Sequence, residues 1–372
     1  MDSRERMLLA LNHREPDRVP IDLSSRSSAI EKEAYDDLKK YLGFDRKTEM
    51  FIRAHAEVDE EILELFGVDT RYVRDIPDDS WLVKGEDHIF VDAWGVPWRK
   101  PKGSYYYDIE RFIYSEINRE DIDRIQWPVL LTDESIEKMR EKAEQLHEKT
   151  QKSIFTDVLG AGIFESAWYM RGFEQFMMDL VLDEDFSRAY LDKILELQIE
   201  AYDKLLNAIG KYIEGILITD DLAMQDNLLM SPELYRKMIK PYQEKLFKFI
   251  QDRGVTVVYH TCGAIYPLLE DLVEIGVKVL HPVQLSAKDM DAKKLKKEFG
   301  DSIVFWGGGC NTQKTLQFGT PQEVREEVKQ RIDVLAPGGG FVFAAEHCIQ
   351  PGTPPENIIA MFETVKEYGR YR

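Results

Sequence analysis

The chain is short of cysteine, of cationic side chains and of long apolar runs, and each shortage removes a class of function. Three cysteines in 372 residues, Cys262, Cys310 and Cys348, cannot all pair with one another, and so sparse a set argues against a disulfide framework. They are expected as reduced thiols. Lysine and arginine number 49 against 68 aspartates and glutamates, a net charge of −19. That field repels the phosphate backbone that dominates nucleic-acid affinity, so neither nucleic acid nor an anionic membrane is expected as a partner. A polyanionic substrate would need a local arginine cluster to override it. No window approaches the ~18 consecutive apolar residues of a membrane span. The start, Met1-Asp-Ser-Arg-Glu-Arg6, runs straight into an amphipathic helical pattern instead of the apolar region of a signal peptide. A cytoplasmic protein is the expectation.

With 44% hydrophobic and 31% charged residues, the composition is that of a globular chain with ample core. Its length suits two ordinary domains or one large barrel. Short β-branched runs alternate with longer helical patterns, which is the signal for βαβ units. The strands are expected at Arg18 to Leu23, Thr70 to Ile76, Ser153 to Leu159, Gly215 to Thr219, Val255 to His260, Lys278 to Pro282, Ile303 to Gly307 and Gly340 to Ala345. Helices are expected between them, among them Asp185 to Ile209, Pro232 to Arg253 and Thr320 to Leu335. Three helix starts, Ser231-Pro232, Thr320-Pro321 and Thr353-Pro354, set a hydroxyl at the cap and proline in the first turn. Eight such units predict an α/β fold, a single (β/α)8 TIM barrel domain over 1–372. The rhythm breaks at about 85–128, where Ile89 to Val91, Val96 to Arg99 and Tyr105 to Asp108 read as a β-meander inserted after the second strand. In such a barrel, chemistry belongs at the carboxyl ends of the strands.

His260-Thr-Cys-Gly263 leaves the apolar run Val255 to Tyr259 at that end. Two apart on extended chain, His260 and Cys262 project the same way, so an imidazole nitrogen and a thiolate can approach one ion at roughly 2.0 to 2.3 Å. Read alone, His-x-Cys is also ordinary core filler. The other thiols change the balance: Cys310 follows the seventh strand and Cys348 the eighth, so every cysteine falls at one face of the barrel. A His, two Cys and an open position make a catalytic zinc site, whose chemistry is activation of a thiol or alcohol. Asp220 and Asp221 end the fourth strand and can steer a ligand, act as acid or base, or cap a loop. Asp157 and Glu165 flank Leu159-Gly-Ala-Gly162 near the third strand's end and could furnish a further carboxylate, but read better as a loop cap and a helix surface. His281 and His347 read as structural or supporting histidines. Tyr105, Tyr106 and Tyr107 form an aromatic run in the insertion, either one packed strand face or a lid. There is no G-x-S-x-G elbow and no phosphate-loop spacing.

Several blocks, in order, resemble the uroporphyrinogen decarboxylase superfamily over nearly the whole chain. They are Arg4-Glu-Arg-Met-Leu-Leu-Ala-Leu-Asn-His13 with Pro16-Asp-Arg-Val-Pro20, Thr219-Asp-Asp-Leu222, His260-Thr-Cys-Gly263, His281-Pro-Val-Gln284, Trp306-Gly-Gly-Gly309, and Ile349-Gln-Pro351 with Pro354-Pro-Glu-Asn357. The resemblance implies a (β/α)8 barrel. True decarboxylases of that superfamily carry an arginine-rich R-Q-A-G-R-Y segment after the first strand, where this chain has Leu23-Ser-Ser-Arg-Ser-Ser28. The pattern is similar instead to the zinc-dependent methyltransferases that work on corrinoids, such as the methylcobamide:coenzyme M methyltransferases. By that likeness, zinc would be held by His260, Cys262 and Cys348, with Cys310 as an alternative ligand and Asp220 or Asp221 at the mouth. The chain has no D-x-H-x-x-G cobalamin motif, so the corrinoid is expected as a co-substrate, on a corrinoid protein partner or free; the likeness also implies a small methyl donor or thiol acceptor and a homodimer. Rival expectations are a lyase on a smaller carboxylate and a non-catalytic tetrapyrrole- or metal-binding barrel.

Overall fold

Seven parallel strands share one sheet: β1 (Thr70–Val73), β2 (Ser153–Thr156), β3 (Gly215–Thr219), β4 (Thr256–His260), β5 (Val279–His281), β6 (Val304–Trp306) and β7 (Phe341–Val342), each hydrogen-bonded to its neighbour in chain order. The computed structural model describes residues 1–52, 55–74, 82–83, 89–104 and 106–371. The expected ends of the second strand, residues 75 and 76, the start of the expected insertion and Tyr105 lie outside them. Side chains alternate across the curved sheet with period two. Phe155, Leu217, Val258, Val279, Val304, Trp306 and Val342 fill the barrel interior, where Met7 and Ala10 of the helix Ser3–Leu11 join them. Ile154, Ile216, Ile218, Val257, Tyr259, Leu280 and Phe305 face the outer helices. Both faces are buried, so the strands read as continuous apolar runs.

The expected first strand, Arg18 to Leu23, closes the barrel as single bridges instead of a ladder. Phe343 N–H donates to Pro20 O and Asp22 N–H to Phe343 O, both at 2.8 Å, while Asp69 N–H reaches Ile21 O at 2.8 Å. Pro20 has no N–H to extend the pairing. The segment therefore stitches the edge beyond β7 to the edge before β1.

Two of the three expected helix starts keep their caps. Ser231 accepts from Leu234 N–H, and Thr320 forms a reciprocal box with Glu323. Thr353 does not cap its helix: its hydroxyl donates to Gln350 O at 2.8 Å, and Pro354 precedes the helix Pro355–Tyr368. The expected helix Pro232 to Arg253 is two, Pro232–Met238 and Lys240–Gln251, because Pro241 cannot donate into a continuous ladder.

The insertion is an antiparallel four-stranded meander of Leu82–Val83, Ile89–Val91, Pro97–Arg99 and Asp108–Ile109. Its last strand starts at the residue where the expected one ended. Trp98 meets Tyr169 edge-on at 4.9 Å between ring centroids, which rests the meander on the helix Ile163–Arg171 beside the barrel mouth.

Candidate functional site

Register brings the site together. His260, the last residue of β4, pairs with Thr219 of β3 and His281 of β5. The imidazoles of His260 and His281 meet Nδ1 to Nδ1 at 2.9 Å, so one of those nitrogens carries a proton and the other does not. Burial, followed by the charge of neighbouring histidines, holds His260 well below its usual ionisation. The ring is neutral, and its 3.8 Å approach to Asp221 is therefore not an ion pair. Its Nε2 points instead at Cys262 Sγ, 3.4 Å away. Cys262 is fixed by its N–H, which donates to Asp221 Oδ1 at 2.7 Å. Gly263 then turns with φ +89, where a Cβ would come within 2.5 Å of Met224 O. Only glycine fits so close a loop.

The third donor comes from beyond β7. Atoms of His260, Cys262 and His347 lie within 4.8 Å of one another. Cys348 is next in sequence, and its sulfur approaches Arg26 O at 3.6 Å. Burial opposes ionisation of Cys348, but His347 and His55 overcome it and bring the thiol down to about 6. Cys262 has the opposite setting: burial and then the Asp221 charge push it up to about 11. The His347 side chain interacts with both thiols, which hold it well above its usual ionisation against the opposing effect of burial. His347 thus lies against both sulfurs.

A soft divalent ion fits this donor set. Tetrahedral zinc, with nitrogen at about 2.0 Å and sulfur at about 2.3 Å, separates two such ligands by roughly 3.5 Å. The His260–Cys262 approach already has that span. The Nδ1 contact with His281 also supplies the outer hydrogen bond that orients a ligating imidazole.

The sequence-derived candidates divide. Asp221 reaches the cluster through Cys262, whereas Asp220 turns away. Its carboxylate accepts from Phe164 N–H at 3.2 Å, Glu165 N–H at 2.8 Å and Gln243 Nε2 at 2.7 Å. It caps the helix Ile163–Arg171, and burial raises it to about 6. Cys310 also stays apart: fully buried, it faces Glu327 Oε2 at 3.8 Å on the helix Pro321–Leu335, in the outer layer. Asp157 behaves as the expected loop acceptor, taking Arg26 N–H at 3.0 Å and Arg74 Nε at 2.8 Å. Glu165 is not on a helix surface. It is buried in a cavity that also meets His260, His347, Cys348, Tyr106 and Tyr169. The sequence offered it as a further carboxylate at the strand end but favoured a helix surface, because its direction depends on the Asp220 anchor.

His281 has a consequence for stability. Burial and then the His347 charge push it down from 6.5 to about 3. Above about 6.5 it is neutral in the folded and unfolded chains and has no effect. As pH falls below that, the unfolded chain takes a proton that the folded chain refuses, so stability drops progressively toward pH 3. Urea midpoints of metal-free protein should fall between pH 7 and pH 5, and fall less for His281→Asn. Equal slopes would refute this role.

The comparisons agree with this architecture. The family profile described as Uroporphyrinogen decarboxylase (URO-D) matches residues 108–368, and the chain belongs to that family. A methylcobamide:CoM methyltransferase of Methanosarcina barkeri is 32% identical over 182 residues, 48% of this chain and 49% of that protein. A uroporphyrinogen decarboxylase of Thermus thermophilus is 26% identical over 174 residues, 44% of this chain and 47% of the other. The chain thus spans about half the length of these curated relatives. A solved methyltransferase from Methanosarcina mazei covers 99% of both chains with a TM-score of 0.68 at 21% identity, which shows the shared fold. The resemblance to the uroporphyrinogen decarboxylase superfamily drawn from the motif blocks is borne out.

Proposed function

We propose that this chain is a zinc-dependent methyltransferase that moves a methyl group between a small thiol or methylated donor and a corrinoid, the corrinoid being held by a partner protein docked over the barrel mouth. The observation that carries the reading is the 3.4 Å meeting of His260 Nε2 with Cys262 Sγ, with His347 and Cys348 on the facing loop. The residues that would hold zinc in this reading are His260, Cys262 and Cys348, with His347 beside them in the same cluster. Bound zinc would supply Lewis acidity that ionises a thiol at neutral pH. The chain's own residues do the rest. Asp221 holds the Cys262 backbone, His281 orients His260, and Asp220 acts at a distance by anchoring the helix that carries Glu165. We further read residues 1–372 as one domain acting in the cytoplasm as a homodimer.

Elemental analysis and methylcobalamin demethylation with a panel of thiols and methylated donors test this. Near-stoichiometric zinc and thiol-dependent loss of the cobalt–methyl absorption are expected. Cys348→Ser should lose both, and Cys310→Ser should keep both, because its sulfur faces the outer helix layer. Zinc-free protein that decarboxylates a small acid would replace this reading with the lyase.

A further inference from the structure

Glu165 is a buried carboxyl with an unassigned oxygen. Its Oε1 accepts from Tyr169 OH at 2.8 Å, while its Oε2, shut off from solvent, makes no full hydrogen bond, the carboxyl having only a looser interaction with the Thr219 side chain. An unmatched buried acceptor costs about 1–3 kcal/mol, so it persists where something else occupies the adjoining space. That space is the cavity it shares with His260, His347 and Cys348. No Lys or Arg pairs with it among the described ion pairs. The placement is rigid. Asp220 clamps the backbone N–H of Glu165, and Gly162 N–H donates to Thr219 O at 2.5 Å. A Cβ on Gly162 would come within 2.3 Å of that oxygen. The helix start is thereby pressed against the end of β3, one strand from His260.

The geometry points to Glu165 as the general base of the methyl transfer, taking the proton of a thiol substrate that lies in the cavity it shares with His260, His347 and Cys348. This rests on the reading proposed above. In the step, the S–H bond breaks and the proton passes to Oε2. The freed sulfur lone pair bonds the methyl carbon, the cobalt–carbon bond breaks with its electron pair staying on the corrinoid cobalt, and the proton later leaves Oε2 for solvent. Burial, with the charges of Asp221 and Asp220 behind it, raises the carboxyl to about 8, and a base is most effective when its ionisation lies near the working pH. The substrate class follows: thiols that are protonated at the working pH, such as alkanethiols, need this residue, and thiols already ionised do not.

The test compares 2-mercaptoethanol with a nitrothiophenol, which is ionised at neutral pH, as acceptors from methylcobalamin. Glu165→Gln keeps the size and the Tyr169 contact but cannot take a proton. It should lose about 10²- to 10⁴-fold in kcat with the alkanethiol and less than about tenfold with the thiophenol, with zinc content unchanged. Formate should partly restore Glu165→Ala, whose cavity it can enter. Equal loss with both thiols, or no loss with either, overturns the assignment. Wild-type protein that demethylates methylcobalamin with neither thiol overturns the methyltransferase reading itself, and that outcome is separate from any behaviour of the variants.

Discussion

Cys262→Ser should strip the bound zinc and lower methyl transfer by on the order of 10³-fold, while the protein stays folded. A serine hydroxyl keeps nearly the size of the thiol but does not ionise at neutral pH, and the thiolate, not the thiol, is the metal ligand. Losing a Lewis acid removes several kcal/mol of charge stabilisation, and each 1.36 kcal/mol is tenfold in rate. The fold should not notice. The Cys262 N–H still reaches Asp221 Oδ1, the side chain is only half-buried, and the barrel core lies below it. Asp221→Asn should weaken zinc more mildly, by about 10- to 100-fold in affinity, as outer-shell changes do. Zinc content by elemental analysis, beside circular dichroism for the fold, decides it. A Cys262→Ser protein that retains stoichiometric zinc would remove that sulfur from the site.

Asp69→Ala should cost about 3–5 kcal/mol of stability, far more than most single changes, because it strands buried cations. Asp69 is fully buried. Its carboxylate accepts from Arg6 NH1 at 2.7 Å, Arg18 NH1 at 2.7 Å, Ser3 Oγ at 2.7 Å and Ile21 N–H at 2.8 Å. It therefore joins the N-terminal helix and the bridging segment 18–23 to the start of β1, which is the seam that closes the barrel. Arg6 keeps Asp17 as a partner, so the loss should fall short of unfolding. Asp69→Asn, which retains one acceptor oxygen, should lose less. Urea midpoints should fall in the order wild type, Asn, Ala with the slope unchanged. An Ala variant as stable as the wild type would show that the seam is held by apolar packing alone.

The barrel strands were legible because parallel strands buried on both faces must be apolar and β-branched wherever they occur. β3 falls on the expected residues and β4 starts one later. The segment 18–23 was legible as a strand but not as a set of single bridges, since the pairing depends on which edges reach it. The meander was legible as strands between turns, though the boundary of its last strand shifted. Within the site, His260 and Cys262 were legible because two residues of separation on an extended chain set one direction. The distance between them needs only local geometry.

Direction is what failed elsewhere. Asp220 and Asp221 are neighbours on an extended segment and must point to opposite sides. Which one faces the mouth was decided by the helix start that needed a cap. Cys310 lies four residues beyond Trp306, which fills the barrel interior, so counting by twos would turn it inward. Gly307 and Gly308 adopt φ +95 and +72, the alternation is lost through that turn, and the thiol ends in the outer layer. Glu165 was read as surface for the same reason.

The amino-acid sequence by itself determined the repeating strand–helix pattern, the family, and the pairing of an imidazole with a thiol at the end of β4. Those properties are local: apolar periodicity, capping residues and short spacings act over a few residues and survive whatever the rest of the chain does. Only the tertiary structure decided that His347 lies against both Cys262 and Cys348, that Asp220 is spent on a helix, and that Glu165 turns its carboxyl into the cavity. These depend on loops from distant strands converging at one rim, where each side chain's direction is set by the neighbours it must avoid or satisfy.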